Sequence, residues 1–580
     1  MDAMPTMSAH RIAITRTPRS TCIHVLVLIA GFFLGKGLFA QDLEGLGKQK
    51  PVQVNGSLSL LGGPYFYAGD GAPRNKPFFW NSNGSITLSL YGVQMPFSFS
   101  VGSQQSSYTQ PFNRYGVSPH YKWVKLHAGY RSMRFNPYTL GGLQFFGGGI
   151  ELDPKGFRFA AFYGRFNKPV AQDTLAAISP IPAYKRMGYG MKVGVGSARN
   201  HVDLMMIHVQ DDSSSITAPE RSRIRPMENL ALGLSGRIGI TKKLIWTFDG
   251  GASAISDDAR LAENTDVDVP DLARGLFTPR FGSRAAFGGN TGLQWTSRFL
   301  TLKVSAKQVD PDYRSLGAVF QQTDVRAITV DPSIRFNKSK WRLSGSIGRQ
   351  QDNIRNTKLS QSIRTIGSAA VSWNPSRTYG TDLNYSNYGI QQQRGLQVLN
   401  DTFRVAMANR SYSVSQRYVK SNSKRSLTAS LVGGYQQLQD LNSFGTFNTS
   451  ENEVIYANLY VGRARTRDNF GLTGGLNYSR NAASFGASVL IGPSVGTSLQ
   501  LAKKKLMTSA NLSWNKAFQN GEPSGSTINF SASAQYKLST SQSFQCSASV
   551  LRNETSFVAS QKFTEIRFQA GYVFYLRSRS

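Results

Sequence analysis

The sequence predicts an all-β fold, a large single-chain transmembrane antiparallel up-and-down β-barrel of about 22–26 strands. Three observations lead there: residues of alternating character, connections of alternating length, and a leader followed by no apolar run long enough to form a spanning helix. The alternation is clearest at the end of the chain. Ile566, Phe568, Ala570, Tyr572, Phe574 and Leu576 share one parity, and Glu565, Arg567, Gln569, Gly571 and Tyr575 the other, with Val573 the one exception. Strand side chains point to alternate faces, so this segment has an oily face and a wet one. A soluble sandwich would press its oily faces together; a membrane barrel turns them to lipid.

Residues 1–40 read as a signal peptide. Arg11, Arg16 and Arg19 form a basic start, residues 23–35 an apolar core, and Ala40 suits the last position before cleavage. Residues 41–51 read as a short periplasmic lead and 52–580 as the barrel. A first strand is expected over 52–60 and another over 83–93, ending near Pro96, with a loop at 102–120 and a strand at 121–131. Residues 143–166 form a hairpin around Asp153-Pro154-Lys155-Gly156, a sequence with turn chemistry. Short connections then follow at 197–200, 241–243, 297–298, 337–340 and 374–378. Longer ones at 167–186, 211–229, 256–284, 310–325 and 351–363 lie between them. That rhythm is the habit of bacterial barrels, whose short turns are periplasmic. The strand tally comes out odd and the rhythm drifts after Arg480, which puts the first strand and the 484–502 region in question.

The chain carries 66 basic and 33 acidic residues, a net charge of +33. Removing residues 1–40 takes away four basic residues and Asp2, leaving +30. The basic residues are scattered among Ser, Thr, Asn and Gly rather than clustered, which argues against a nucleic-acid partner. Cys546 is the only cysteine beyond the leader; it sits on an oily parity and can form no intrachain disulfide. Of the histidines beyond the leader, His201 and His208 are seven apart and face opposite sides of one strand. His127 is on a polar face, and no Ser/His/Asp spacing points to an enzyme. The acidic loop 256–284 lacks the Gly and closing Glu of a calcium site. Gly188, Gly190, Gly194 and Gly196 lie inside a strand with no helix following, so they are read as small inward residues leaving room in the lumen, not a phosphate loop. No cofactor or metal is expected.

Set against the oily parity of their strands, Lys125, Arg131, Lys192, Arg237, Lys303, Lys307, Arg335, Arg342, Arg404, Lys537 and Arg567 point inward. A lining of one sign biases a pore toward ions of the other, here anions. Lys503-Lys504-Lys505 forms a separate cluster at a turn, suited to lipid phosphates or to solvent.

The mature start Gln41-Asp42, the Ser/Asn/Thr–aromatic strands and the closing Tyr572-Val573-Phe574-Tyr575-Leu576 resemble outer-membrane β-barrels of the Bacteroidota type. The resemblance is one of style across most of the chain, from which the sequence departs by adding Arg577-Ser578-Arg579-Ser580 after the aromatic end. It implies an outer-membrane location, contact with membrane lipid and lipopolysaccharide, and either a porin-like channel for anionic solutes or a non-conducting partner subunit in an envelope secretion or surface-attachment assembly.

Overall fold

A computed structural model describes residues 51–577, apart from 72, 104–112, 173–180, 218–223, 267–274, 319–321, 359, 395–405, 441–450, 466–468, 485 and 556–560. The leader, most of the proposed periplasmic lead and Arg404 lie outside the described residues. The strands are β1 Val52–Gly69, β2 Phe78–Leu90, β3 Val93–Gly102, β4 Arg114–Val117, β5 His120–Tyr121, β6 Val124–Arg134, β7 Gly141–Leu152, β8 Gly156–Asn167 and β9 Lys185–Gly196. Next come β10 His201–Asp212, β11 Glu228–Gly239, β12 Leu244–Ser256, β13 Arg284–Thr296, β14 Leu300–Val309, β15 Val325–Phe336, β16 Trp341–Gln351, β17 Ser360–Trp373 and β18 Tyr379–Arg394. The last are β19 Ala406–Ser421, β20 Arg425–Asp440, β21 Asn452–Arg465, β22 Phe470–Ala483, β23 Gly486–Leu501, β24 Leu506–Gln519, β25 Glu522–Lys537, β26 Gln542–Thr555 and β27 Gln561–Arg577.

Each strand pairs antiparallel with its sequence neighbours, and β1 pairs with β27 to close the wall. The segments β4 and β5 both pair with β3 on one side and β6 on the other, so together they fill one place. The barrel therefore has 26 strands, an even number with both ends of the wall on one rim. The supposed loop at 102–120 contains β4 and the start of β5, broken at Ser118-Pro119. Pro119 offers no N–H to the ladder. The two strands in question are both present: β1 runs on to Gly69, and β23 spans the 484–502 region with Pro493 inside it. Residues 83–93 belong to β2 and, past a Tyr91-Gly92 turn, to the first residue of β3. Arg577, beyond the aromatic end, still pairs with Asn55, so the added tail does not prevent closure.

Connections on the rim holding both ends of the wall are two to five residues long. On the other rim they reach 27 residues at 257–283, then shrink to two at 484–485 and 520–521. That shrinkage is the drift seen after Arg480. By the periplasmic-turn rule the short rim is periplasmic.

The two faces differ as lipid and lumen require. Leu204 and Phe287 are each 63% exposed on the outer parity, while Ile207 and Val209 on the other are fully covered. Outward apolar residues recur around the wall, including Ile347, Leu383, Leu472, Val495, Trp514 and Phe568. With no helix among the described residues and each strand paired on both sides around a closed ring, backbone polar groups are satisfied inside the wall apart from local gaps, as a membrane demands. A circular wall of this strand number would be about 50 Å across.

The seam between β1 and β27 has a local gap. Register pairs Gly62 with Ala570 and resumes at Tyr65 with Arg567, skipping Gly63 and Pro64. Pro64 has no N–H to give. A Cβ on Gly63 would lie 1.9 Å from the Phe568 carbonyl oxygen, so only glycine fits there.

Candidate functional site

The site is the inner face of the barrel together with two long-rim loops folded against it. Loop 135–140 is shaped by Asn136, whose Oδ1 accepts the N–H groups of Tyr138 (3.0 Å) and Thr139 (2.8 Å) and the Thr139 hydroxyl (2.7 Å). Its Nδ2 donates to the Gly250 carbonyl of β12 at 2.9 Å, fixing the loop to the wall. Residues 310–318 of the connection between β14 and β15 lie beside it. The Tyr313 hydroxyl donates to the Tyr138 carbonyl (2.6 Å), the Ser315 hydroxyl to that of Thr139 (2.8 Å), and the Gly141 N–H to the Gly317 carbonyl (3.0 Å). Asn229 of β11 completes the link. It accepts the Leu316 N–H at 3.0 Å and donates to the Ser253 hydroxyl and the Ala254 carbonyl.

Apolar side chains fill the space these bonds enclose. Leu140 and Leu316 pack with Met133, Phe145, Phe162, Phe166, Ile207, Val209 and Ile255 from the inner faces of β6 to β12. Tyr138 and Tyr313 meet edge to face at 5.8 Å, against Ala286, Val309 and Val325. Burial and the Asp249 carboxylate push the Tyr138 phenol up to about 12, and burial raises Tyr313 as well. The glycines of β9 take part in this packing. A Cβ on Gly188 or Gly190 would meet Phe166 at 2.6 Å or Phe162 at 2.8 Å, and one on Gly194 would meet the Asp203 carboxylate. The room they leave is thus taken by neighbouring side chains rather than left open, which corrects the expectation from sequence.

The register puts ten of the eleven basic residues on the parity opposite the oily one; Arg404 lies outside the described residues. They fall into two groups. Lys125 pairs with Glu151 at 3.1 Å, and Arg131 donates to the Ser98 hydroxyl (2.8 Å) and to the Pro96 and Gly116 carbonyls. Lys192 lies 5.7 Å from the Phe135 ring, and Arg567 stacks over Tyr65 and Phe79. These four are tied into the wall. Arg237, Lys303, Lys307, Arg335, Arg342 and Lys537 are exposed on the inner face. Lys303 stands opposite Asp331, and Arg335 opposite Arg342.

Sequence reasoning missed the two in-folded loops and one polar group. Ser118 Oγ lies 3.0 Å from His127 Nδ1, and His127 Nε2 lies 2.6 Å from Glu151. Ser118 and His127 are 8% and 6% exposed, covered on all sides, and the set joins the β4–β5 break to β6 and β7. Among the described residues no group of His, Cys, Asp and Glu could hold a metal. In loop 257–283, Asp257 pairs with Arg284 and Asp258 with Arg260, whose guanidinium holds the Asp258 carboxyl below its ordinary range. Asp268 and Asp271 lie outside the described residues.

From β16 to β27 the inner wall is short and hydroxylic. Ser344, Ser368, Asn384, Ser386, Ser411 and Ser413 line one stretch, and Asn511, Ser531, Ser533, Ser547, Ser549 and Gln569 another. The interior is thus divided between a sector filled by loops and one lined by small polar groups.

This architecture defines a class, the large transmembrane β-barrels of bacterial outer membranes. No protein-family model and no curated protein sequence matches the chain. Among solved structures it is similar to the copper transporter OprC, at 9% identity over 90% of this chain and 80% of that one, with a TM-score of 0.41. It is also similar to the FrpB iron transporter from Neisseria meningitidis, at 10% identity over 92% and 82%, TM-score 0.38. A third is OccAB2 from Acinetobacter baumannii, at 11% identity over 61% and 93%, TM-score 0.29. At these identities the likeness is one of fold alone.

Proposed function

We propose that the chain is an exported outer-membrane, porin-like channel whose basic inner face favours anionic solutes. The observation that carries this is the charge balance between β11 and β16. Below Arg284, Arg237, Lys303, Lys307, Arg335 and Arg342 share the inner face with only Asp249 and Asp331. Both carboxylates are engaged: Asp249 by the Ser235 hydroxyl at 2.6 Å, Asp331 by that of Ser346 at 2.5 Å. Exposed like charges beside a water path draw counter-ions and repel co-ions. The reading needs neither cofactor nor catalysis.

The test is the reversal potential of the full chain in a planar bilayer under a potassium chloride gradient. An anion-selective current is expected, and Lys303→Glu with Lys307→Glu should shift it toward cations. A cation-selective wild type, or a double variant with unchanged selectivity, would overturn the reading. The in-folded loops favour a second reading, a non-conducting subunit of an envelope assembly; a silent bilayer with a stably co-purifying envelope protein would support it.

A further inference from the structure

The outer face carries a groove that the channel reading leaves unused. It spans β10 to β15 on the lipid side, with a volume of about 830 Å³. Gly250, Gly289, Ala252 and Ala306 form its floor, and Leu204, Leu232, Phe287 and Ile328 its walls. The floor is low because these side chains are absent or minimal: a Cβ on Gly250 would have no neighbour nearer than 4.0 Å. Six adjacent strands make the groove on the order of 25 Å wide, room for several acyl chains side by side.

Its long-rim end is cationic. Arg326, second residue of β15, lines the groove and is steadied by Gln308, which accepts its Nε–H at 2.9 Å. Arg349 of β16 stands opposite Ile328 on the same outward parity. Both are exposed, and neither has an acidic partner among the described residues. Three other outward arginines toward the long rim are already occupied: Arg480 with Glu453 at 3.6 Å, Arg552 with Glu554, and Arg165 with the Tyr130 hydroxyl and the Phe146 ring. Uncompensated guanidinium groups at the long-rim end of an apolar groove match a phosphate in charge and in fork geometry.

We propose that this groove binds a phosphate-bearing, multi-acyl lipid of the outer leaflet, its acyl chains on the Gly250–Ala306 floor and its phosphate between Arg326 and Arg349. The site does not depend on the channel reading. Each arginine near a charged headgroup contributes about fivefold in affinity, so the pair contributes about thirtyfold.

The test uses the full chain in zwitterionic detergent, stripped of lipid and exposed to bisphosphorylated lipid A or to its dephosphorylated form. Retention is read by native mass spectrometry. The wild type should retain the phosphorylated form at least tenfold better. Arg326→Gln with Arg349→Gln should erase that preference, and Ala306→Trp, which fills the floor, should reduce retention of both forms. Lys303→Glu with Arg335→Glu, on the inner face and outside the groove's lining, should leave retention unchanged while moving ion selectivity. Equal retention of the two forms by the wild type would overturn the proposal, as would an undiminished preference in the arginine variant. Heat-modifiable gel mobility checks assembly; should the arginine variant misassemble, the wild-type phosphate comparison and the tryptophan variant decide.

Discussion

Replacing Asn136 with alanine should release loop 135–140 from the inner wall while leaving the barrel closed. Asn136 is 1% exposed and makes four hydrogen bonds, three accepted within the loop and one donated to β12. Each buried bond is worth about 1 kcal/mol net, and more where its loss strands a donor. The docked state should therefore weaken by about 4 kcal/mol, close to a thousandfold in the docked-to-free ratio. No strand rung passes through Asn136, so heat-modifiable mobility should persist. Two readouts follow. Hydrogen exchange at the Tyr138, Thr139 and Gly141 amides should lose protection, and single-channel conductance should rise as the loop leaves the lumen. Native protection with unchanged conductance would refute the argument that this side chain fastens the loop. Asn136→Asp should fall between, keeping the acceptor but losing the bond to Gly250.

Gly251→Leu should drive the same loop out by bulk, because a Cβ there would sit 2.5 Å from Tyr138 and 2.6 Å from the Tyr313 hydroxyl. A loss of about 1–3 kcal/mol is expected, read as a lower thermal midpoint. The pairing of Lys358 with Asp324 (2.5 Å) sets a pH dependence. Burial alone would raise the Asp324 carboxyl, but Lys358 and the backbone N–H groups of Ile354 and Asn353 outweigh it and hold the carboxyl below its usual range. Lys358 is correspondingly raised, chiefly by its bond to Asp324. Stability from the depressed carboxyl is therefore present above its unfolded pKa of about 4 and is lost as pH falls through the folded value. That from the raised lysine is present below its unfolded pKa of about 10 and is lost as pH rises past the folded value. Exchange at the Ile354 amide, which donates to Asp324, should be slowest across neutral pH after correction for intrinsic rates, and Asp324→Asn should remove the acid-side dependence.

Much of the wall was legible in the sequence, because β22 and β24 to β27 see lipid on one side and small polar groups on the other. Phe530, Ala532 and Ala534 against Ser531 and Ser533 need no further information. Legibility failed where a strand is covered on both faces. In β10, Met205, Ile207 and Val209 face the in-folded loops while Leu204 and Met206 face lipid, so the period of two disappears. The loops themselves were hidden by distance: Asn136 meets Gly250 114 residues away, and Tyr313 meets Tyr138 175 residues away. One signal was present. Pro137-Tyr138-Thr139-Leu140 is apolar for a solvated connection, and Tyr313 and Leu316 bracket the second loop with large apolar side chains. Inward Lys and Arg could be placed by parity, but not divided into those held by the wall and those left in the water path, because Glu151, Pro96 and Gly116 are partners only in three dimensions.

The gap at Pro64 bears on how the chain is assembled. Across the seam, Tyr65 bonds to Glu565, 500 positions later. Until the C-terminal strand exists, β1 is an open ladder able to template on any passing strand, including one from another copy. A proline midway along it interrupts such a template. The rightful partner tolerates the interruption, because rungs above and below Gly63 and Pro64 anchor it on both sides. What costs two rungs in the finished wall thus guards the nascent end against premature mating.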